Sequence, residues 1–408
     1  MNKYHLSSLS LGLTLLGLSH GALAGDLFSA NIIIDNQQIP YQTYDNVLDM
    51  AEQYSSKGLK SIYNDYKSNS SVEAQVQYMG LKDIRLSYQK DSRTLNLSIP
   101  SADINQDFTG NSRGESSKLL IAYLKNMPKA LNEKIVESSA FHPVNTMRAD
   151  SAVAITNSGS FAMEALDSLH FENNTDSDSE TMMAFAPRFG RYTQEGVDTN
   201  VINLPLMYSR WLPDQQYNVV VDIPVTISRT DDALAGQGSI GVGINSKVTQ
   251  DWYLMPQLRI GALLSQDIGA SAAVYSTSVT SNYRFYPGSK TTLRLINMFA
   301  IYKTATLRVG DFKGSYDLTN YLFRNGLEYS QRLDTVVFGQ PLILKANLTR
   351  TDYSGDAVYS KYAHDASFSV GIKNPNKQGW IKDYRLGASF SQSQHGIKGF
   401  NINAGYTF

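Results

Sequence analysis

Charged side chains recurring on the polar face of alternating segments are the residues of this chain best placed to do chemistry. From residue 182 onward, Arg188, Asp222, Arg259, Arg284, Arg294, Arg324, Glu328, Lys345, Asp365, Lys373, Asp383 and Arg385 all fall on that face. Successive side chains of a strand point to opposite sides. If the apolar side faces out, these charges therefore face in. Eight of them are basic and four acidic, so such an interior either pairs into salt bridges or favours an anion or an acidic segment. Nine are expected to line an interior: Arg188, Asp222, Arg259, Arg284, Arg294, Arg324, Glu328, Lys345 and Arg385. An acidic stretch just upstream, with Glu172, Asp176, Asp178 and Glu180, complements them and is the candidate plug.

Histidine chemistry is sparse. Beyond residue 24 only His142, His170, His364 and His395 remain. His364 and Asp365 are adjacent, so on one strand they face opposite ways and cannot serve one site. Hydrolysis is therefore the least favoured reading. The spacing Asp176, Asp178, Glu180 lacks the glycine and the length of a calcium loop, and no metal or cofactor is expected. Near-neutral charge, −1 overall and −2 without Lys3, gives no reason to expect nucleic acid.

The elements that must position these charges read as strands of about 9–13 residues. Twelve follow residue 181: 183–192, 200–211, 217–228, 239–247, 252–264, 274–285, 292–303, 320–330, 342–351, 363–373, 384–392 and 399–408. The third is the clearest, with Tyr217, Val219, Val221, Ile223, Val225 and Ile227 alternating against Asn218, Asp222, Thr226 and Ser228. The last ends on Tyr406-Thr-Phe408. Repetition of this pattern through every strand suits a barrel whose outer wall faces lipid, where no open edge is tolerated. With the C-terminus at the inner side, residues 212–216, 248–251 and 286–290 read as short inner turns. Residues 230–238, 266–272, 304–319 and 352–362 read as longer outer loops, and 333–341 and 374–382 are long for inner turns. Trp211, Trp252, Tyr253, Tyr286 and Trp380 cluster near the inner turns, as an interfacial girdle would. Residues 395–396 read as the last turn.

At the other end, Lys3, an apolar stretch over residues 9–18 and Ala22-Leu23-Ala24 read as a signal peptide, residues 1–24. Absence of cysteine excludes disulfides and thiolate metal sites. Residues 25–140 read as a small α+β region. A strand near residues 30–35 and a helix over 44–63 come first, followed by strands at 72–86 and 94–99. The longest helix covers 114–139, capped by Ser116 or Ser117 and kinked or split in two at Pro128. Leu119, Leu120, Tyr123, Leu124, Met127, Leu131, Ile135 and Val136 form its apolar stripe. Residues 141–181 read as a linker or plug, and 182–408 as the barrel.

This layout resembles Gram-negative outer-membrane β-barrels, and autotransporters in particular, with their twelve-strand C-terminal translocators. The resemblance implies contact with outer-membrane lipid and handling by the barrel-assembly machinery, with Tyr406 and Phe408 as the assembly signal. It also implies either a narrow channel or export pore with a periplasmic N-terminal domain, or an anchor that displays that domain outside.

Overall fold

In the computed structural model, residues 27–139, 142–147, 181–194, 196–309, 312–314, 316–356, 358–373 and 383–407 are described. The signal peptide, the plug carboxylates Glu172, Asp176, Asp178 and Glu180, Trp380 and Phe408 lie outside them.

The N-terminal sheet forms because apolar residues alternate along β1 (Phe28–Ile34), β4 (Val72–Tyr78), β5 (Leu81–Tyr88) and β6 (Thr94–Ile99). With the short β2 (Gln37–Gln38) and β7 (Ile104–Thr109) the order is β2-β1-β4-β5-β6-β7, and β3 (Gln42–Thr43) also pairs with β1. The expected single strand over 72–86 is a hairpin. Met79 and Gly80 both take positive φ and reverse the chain. The expected helix over 44–63 is two short ones, α1 (Val47–Glu52) and α2 (Ser56–Ile62), because Ser55 caps the second by accepting from the Gly58 N–H. Pro128 divides the long helix into α3 (Arg113–Lys125) and α4 (Lys129–Ser138). The cap of α3 is Ser112. Ser116 and Ser117 are buried instead, donating to the carbonyls of Arg93 and Ala51.

Arg113, only 2% exposed, ties the loops of this domain together. Its Nε donates to the Ser92 carbonyl at 2.9 Å, and Nη2 to those of Ser70 at 2.6 Å and Gln89 at 3.3 Å. Nη1 donates to the Tyr66 hydroxyl, and the guanidinium lies 4.5 Å from the Tyr88 ring centre. Five fixed donors in one plane let a single side chain satisfy several buried carbonyls.

The second sheet is a closed antiparallel barrel of twelve strands. Its first strand is interrupted: β8 (Thr181–Phe185) and β9 (Arg188–Gln194) flank Ala186 and Pro187, and the proline has no N–H for the ladder. There follow β10 (Val197–Trp211), β11 (Tyr217–Thr230), β12 (Ala233–Lys247), β13 (Trp252–Ser265), β14 (Ala270–Gly288) and β15 (Thr291–Val309). After the short β16 (Phe312–Gly314), the wall continues with β17 (Thr319–Val337), β18 (Gln340–Gly355), β19 (Tyr362–Lys373), β20 (Asp383–Ser393) and β21 (Lys398–Thr407). Closure comes from β21, whose residues 398–403 pair with β9 and whose Tyr406 and Thr407 pair with β8. Tyr192 fills the inside of this seam, its hydroxyl 3.0 Å from Asn401 Oδ1. A Cβ at Gly399 would meet the Tyr192 ring at 2.1 Å, so only glycine fits there.

The expected contrast between short inner turns and long outer loops does not hold. Strands run further than their alternation suggested. Asp231 and Asp232 alone join β11 to β12, with Asp231 at positive φ. Phe338 and Gly339, both at positive φ, alone join β17 to β18 where a long connection was expected. Trp211 and Tyr253 are also displaced from the expected girdle, since both are buried on the inward face.

Replacing Arg113 by Met removes the donors to three buried carbonyls and the charge over Tyr88. This is expected to destabilise the N-terminal domain by about 3 kcal/mol. Urea-dependent proteolysis of the detergent-solubilised protein should show residues 27–139 cleaved at lower urea while the barrel persists.

Candidate functional site: the barrel interior and its mouth

Alternation places one face of each barrel strand in contact with the surroundings. Outward side chains include Ile223, Val225 and Ile227 on β11, Ile240, Val242 and Ile244 on β12, and Leu258 and Ile260 on β13. Further round the wall come Phe323, Leu327, Leu348, Phe368, Leu386, Phe390, Phe400 and Ile402. Each is between 41% and 67% exposed. A continuous apolar girdle on this scale is foreign to a water-facing surface and suited to hydrocarbon. A 14-residue strand such as β11 rises about 46 Å, or about 33 Å along the normal at a tilt near 45°. Tyr384 and Tyr406 meet edge to face at 5.9 Å near the C-terminal end of this band. Tyr208, Tyr217, Tyr283 and Tyr329 are also outward and exposed towards that end.

The inward face carries the charges. Asp222, 1% exposed, accepts from Arg259 Nη2 and from Gln257 Nε2, both at 2.5 Å, and Arg259 Nη1 donates to Ser239 Oγ at 2.8 Å. A second group joins Arg294 to Glu328 at 2.5 Å and Lys345 to the same carboxylate oxygen at 3.5 Å. Arg284 sits opposite Arg294 in the ladder, 5.0 Å from the Tyr253 ring centre. Two further cations and an acid complete the middle of the interior. Arg324 donates to Thr351 Oγ1 at 3.1 Å, Asp365 accepts from Ser391 Oγ at 2.5 Å, and Arg188 projects inward from β9. Arg385 is inward and half-buried on β20. All nine candidate lining residues thus lie on the inward face, with Asp222–Arg259 and Arg294–Glu328–Lys345 as paired groups. His364 points outward and Asp365 inward.

Gln257, Asn203 and Tyr192 add cross-strand hydrogen bonds to the same interior, to Asp222, Thr226 and Asn401. They carried no separate signal in the sequence, because their partners sit on other strands.

The mouth at the ends of β11–β12, β13–β14 and β15–β17 is covered by the N-terminal domain. Ala233, Ile268 and Ala270, each 2% exposed or less, belong to the same apolar core as Ile32, Met79 and Leu120. The Val47 N–H donates to the Asp267 carbonyl at 3.1 Å, and the Tyr78 hydroxyl donates to the Ile268 carbonyl. Burial pushes the Tyr78 hydroxyl above its ordinary pKa, so it remains a neutral donor. Lys129 reaches Asp317 at 3.3 Å. The short helix α5 (Pro143–Met147) goes deeper. Its Val144 packs with Val136, Leu263, Ala272, Tyr316 and Leu318, and Leu263 and Ala272 belong to the inward faces of β13 and β14. His142 Nδ1 accepts from the Val144 N–H, and its ring meets Tyr316 edge to face. An isoleucine in a stretch read as a loop, Ile268, was the one sequence sign of this contact.

No family model and no curated protein matches the chain. Among solved structures, it is similar to the β domain of the Bordetella autotransporter BrkA, at 14% identity over 56% of this chain and 99% of that one, with a TM-score of 0.43. It is also similar to the translocator domain of the autotransporter NalP from Neisseria meningitidis, at 16% identity, 63% and 96% coverage and a TM-score of 0.43. An outer membrane channel from Pseudomonas putida F1 aligns at 13% identity, 57% and 98% coverage and a TM-score of 0.38.

Glu328→Gln leaves two buried cations facing one neutral amide and is expected to cost about 3–5 kcal/mol of barrel stability. Pairing it with Lys345→Met should recover part of that. Tryptophan fluorescence during urea unfolding in lipid vesicles measures both. By its own strand pairings, the chain is a closed twelve-strand antiparallel β-barrel whose mouth carries a small α+β domain.

Proposed function

We propose that this chain is an outer-membrane barrel that anchors its N-terminal domain at the cell surface, with the connecting residues 148–180 running back through the barrel interior. The observation that carries this reading is the separation of two points in the chain. Val144 of α5 is packed against the inward face of β13 and β14 at the domain-bearing mouth. Thr181 pairs with Arg210, and Thr407 with Ala184, at the opposite end.

Thirty-three residues separate Met147 from Thr181, and these two described positions lie towards opposite ends of the barrel. Extended, such a segment reaches about 110 Å, against a barrel height of about 33 Å. Two routes exist. The outer route passes through hydrocarbon, where an irregular polar segment bearing Glu172, Asp176, Asp178 and Glu180 is excluded. The inner route passes Arg284, Arg294, Lys345, Arg324 and Arg188, whose charge complements those carboxylates. Lining by these residues together with Asp222, Arg259, Glu328 and Arg385 then serves to hold a segment of the chain itself.

Orientation follows from the ends. An even strand number puts the start of β8 and the end of β21 on one side, which is the periplasmic side for an exported barrel. The domain then sits outside. A channel gated by the domain from the periplasm requires both chain ends of the barrel to be external. Membrane placement is supported by the apolar girdle and by closure, and assembly through Tyr406 and Phe408 fits the same reading.

An epitope inserted between Gln37 and Gln42, beside the exposed β2, is expected to bind antibody on intact cells. Binding only after the outer membrane is permeabilised overturns the orientation. Deleting residues 171–180 is expected to raise conductance in planar bilayers and shift it towards anions. An unchanged conductance and selectivity overturns the interior route.

A further inference from the structure

The two edges of the N-terminal sheet are finished differently. At one, β1 is covered by β2 and β3, which pair with residues 33–34 and 29–30. At the other, β7 pairs with β6 alone. Among the described residues, no backbone group of residues 104–109 bonds to a backbone group outside β6. Exposed edges are ordinarily blunted by a lysine, a proline, a bulge or a covering element. β7, Ile104-Asn-Gln-Asp-Phe-Thr109, has no lysine or proline, and its register with β6 runs without a shift. The Gln106 side chain reaches back to this edge, donating to the Asp107 carbonyl at 3.0 Å.

Apolar surface lies beside the same edge. Phe108 turns to the helical layer, where the Tyr123 ring of α3 meets it edge to face at 5.4 Å. Leu119 stands four residues before Tyr123, hence on the same side of α3, and is 45% exposed. On the other face of the sheet Asn105 and Asp107 are exposed, and Asn96 Nδ2 donates to Oδ1 of each at 2.8 Å.

The sequence of β7 complements itself. A two-fold axis normal to the sheet sets two copies of the strand antiparallel, with side chains of the same face opposed. Centred on Asp107, the axis would put that carboxylate against itself. Centred on Asn105, it would put Asp103 against Asp107. Centred on Gln106, it puts Asn105 beside the partner's Asp107 and Ile104 beside the partner's Phe108. Asn105 already accepts from Asn96 through Oδ1, which leaves its amide N–H groups for that carboxylate. Leu119 of each copy extends the apolar side of the contact.

We infer that two copies of this chain associate through β7, antiparallel about Gln106, so that their N-terminal sheets become one. Main-chain hydrogen bonds supply the attraction and the cross-strand pairs set the register. The Gln106 side chain gives up the Asp107 carbonyl to the incoming strand. Pairing of this kind is the same on either side of the membrane, so it stands or falls apart from the anchor reading.

The chain contains no cysteine, so introduced ones report contacts without background. The test uses the full mature chain, refolded in detergent and mildly oxidised. Directly opposed residues of an antiparallel pair have Cα atoms about 4.5–5.5 Å apart, within the disulfide range of about 4.4–6.8 Å. Gln106→Cys alone is expected to give a covalent dimer. Asn105→Cys and Asp107→Cys should give one only when the two are mixed. Sedimentation of the cysteine-free chain in density-matched detergent should show a reversible monomer–dimer equilibrium. Asn105→Asp is expected to weaken it about tenfold, by setting like charges side by side. Asn105→Asp/Asp107→Asn should restore it, since Asn96 can donate to either arrangement. Leu119→Glu should weaken it as well. Heat-modifiable migration on gels reports a folded barrel, and trypsin resistance of residues 27–139 a folded domain. A monomer at every concentration overturns the proposal, as does a dimer that none of these substitutions weakens. Cross-linking of Asn105→Cys to itself as readily as Gln106→Cys overturns the register.

Discussion

A barrel wall in hydrocarbon must satisfy every backbone N–H and C=O within itself, and one seam decides whether this one does. β21 meets β9 and β8 along residues 398–407, which removes the two edges that the array would otherwise expose. Pro187 would leave a gap in that seam. The chain accommodates it by breaking the first strand there, with the Ala404 N–H donating to the Pro187 carbonyl at 3.1 Å. Tyr192 then fills the space over Gly399 from inside. Closure also fixes which face of every strand is inward, so the placement of the charges follows from it.

The interior is a buried electrostatic problem solved locally. Asp222 takes two donors from neighbouring strands, and Glu328 takes Arg294 and Lys345. Buried pairs of this kind are weak sources of net stability but strict about geometry, because removing one partner strands the other. They therefore specify strand register and leave an excess of positive charge along the same wall. That excess is what an acidic segment threading the interior would meet.

Docking of the domain relies on a different force. The barrel tips contribute Ala233, Ile268 and Ala270 to the apolar core of the domain, so domain and mouth share one core rather than touching through a polar rim. Lys129–Asp317 is exposed at that boundary and adds little. Val144 continues the contact into the mouth. The domain is therefore held at the tips of β11–β12, β13–β14 and β15–β17 by burial rather than by charge.

Alternation of side chains along residues 182–408 determined strand number and the inward side of Arg188, Asp222, Arg259, Arg284, Arg294, Arg324, Glu328, Lys345, Asp365 and Arg385. Alternation is a local property, set by the two-residue repeat of the extended backbone. Pro128 likewise announced the helix break. What the sequence could not give were properties made by residues far apart. Strand lengths were underestimated at 231–232 and 338–339, because turn residues with positive φ let the ladder continue through stretches that look like loops. Trp211 and Tyr253 looked like girdle residues by proximity to turns, yet their parity turns them inward. Which charges pair and which end carries the domain depend on register between strands and on closure. Those are fixed only when the whole wall is assembled, since a shift of one residue would turn every side chain of a strand to the other face.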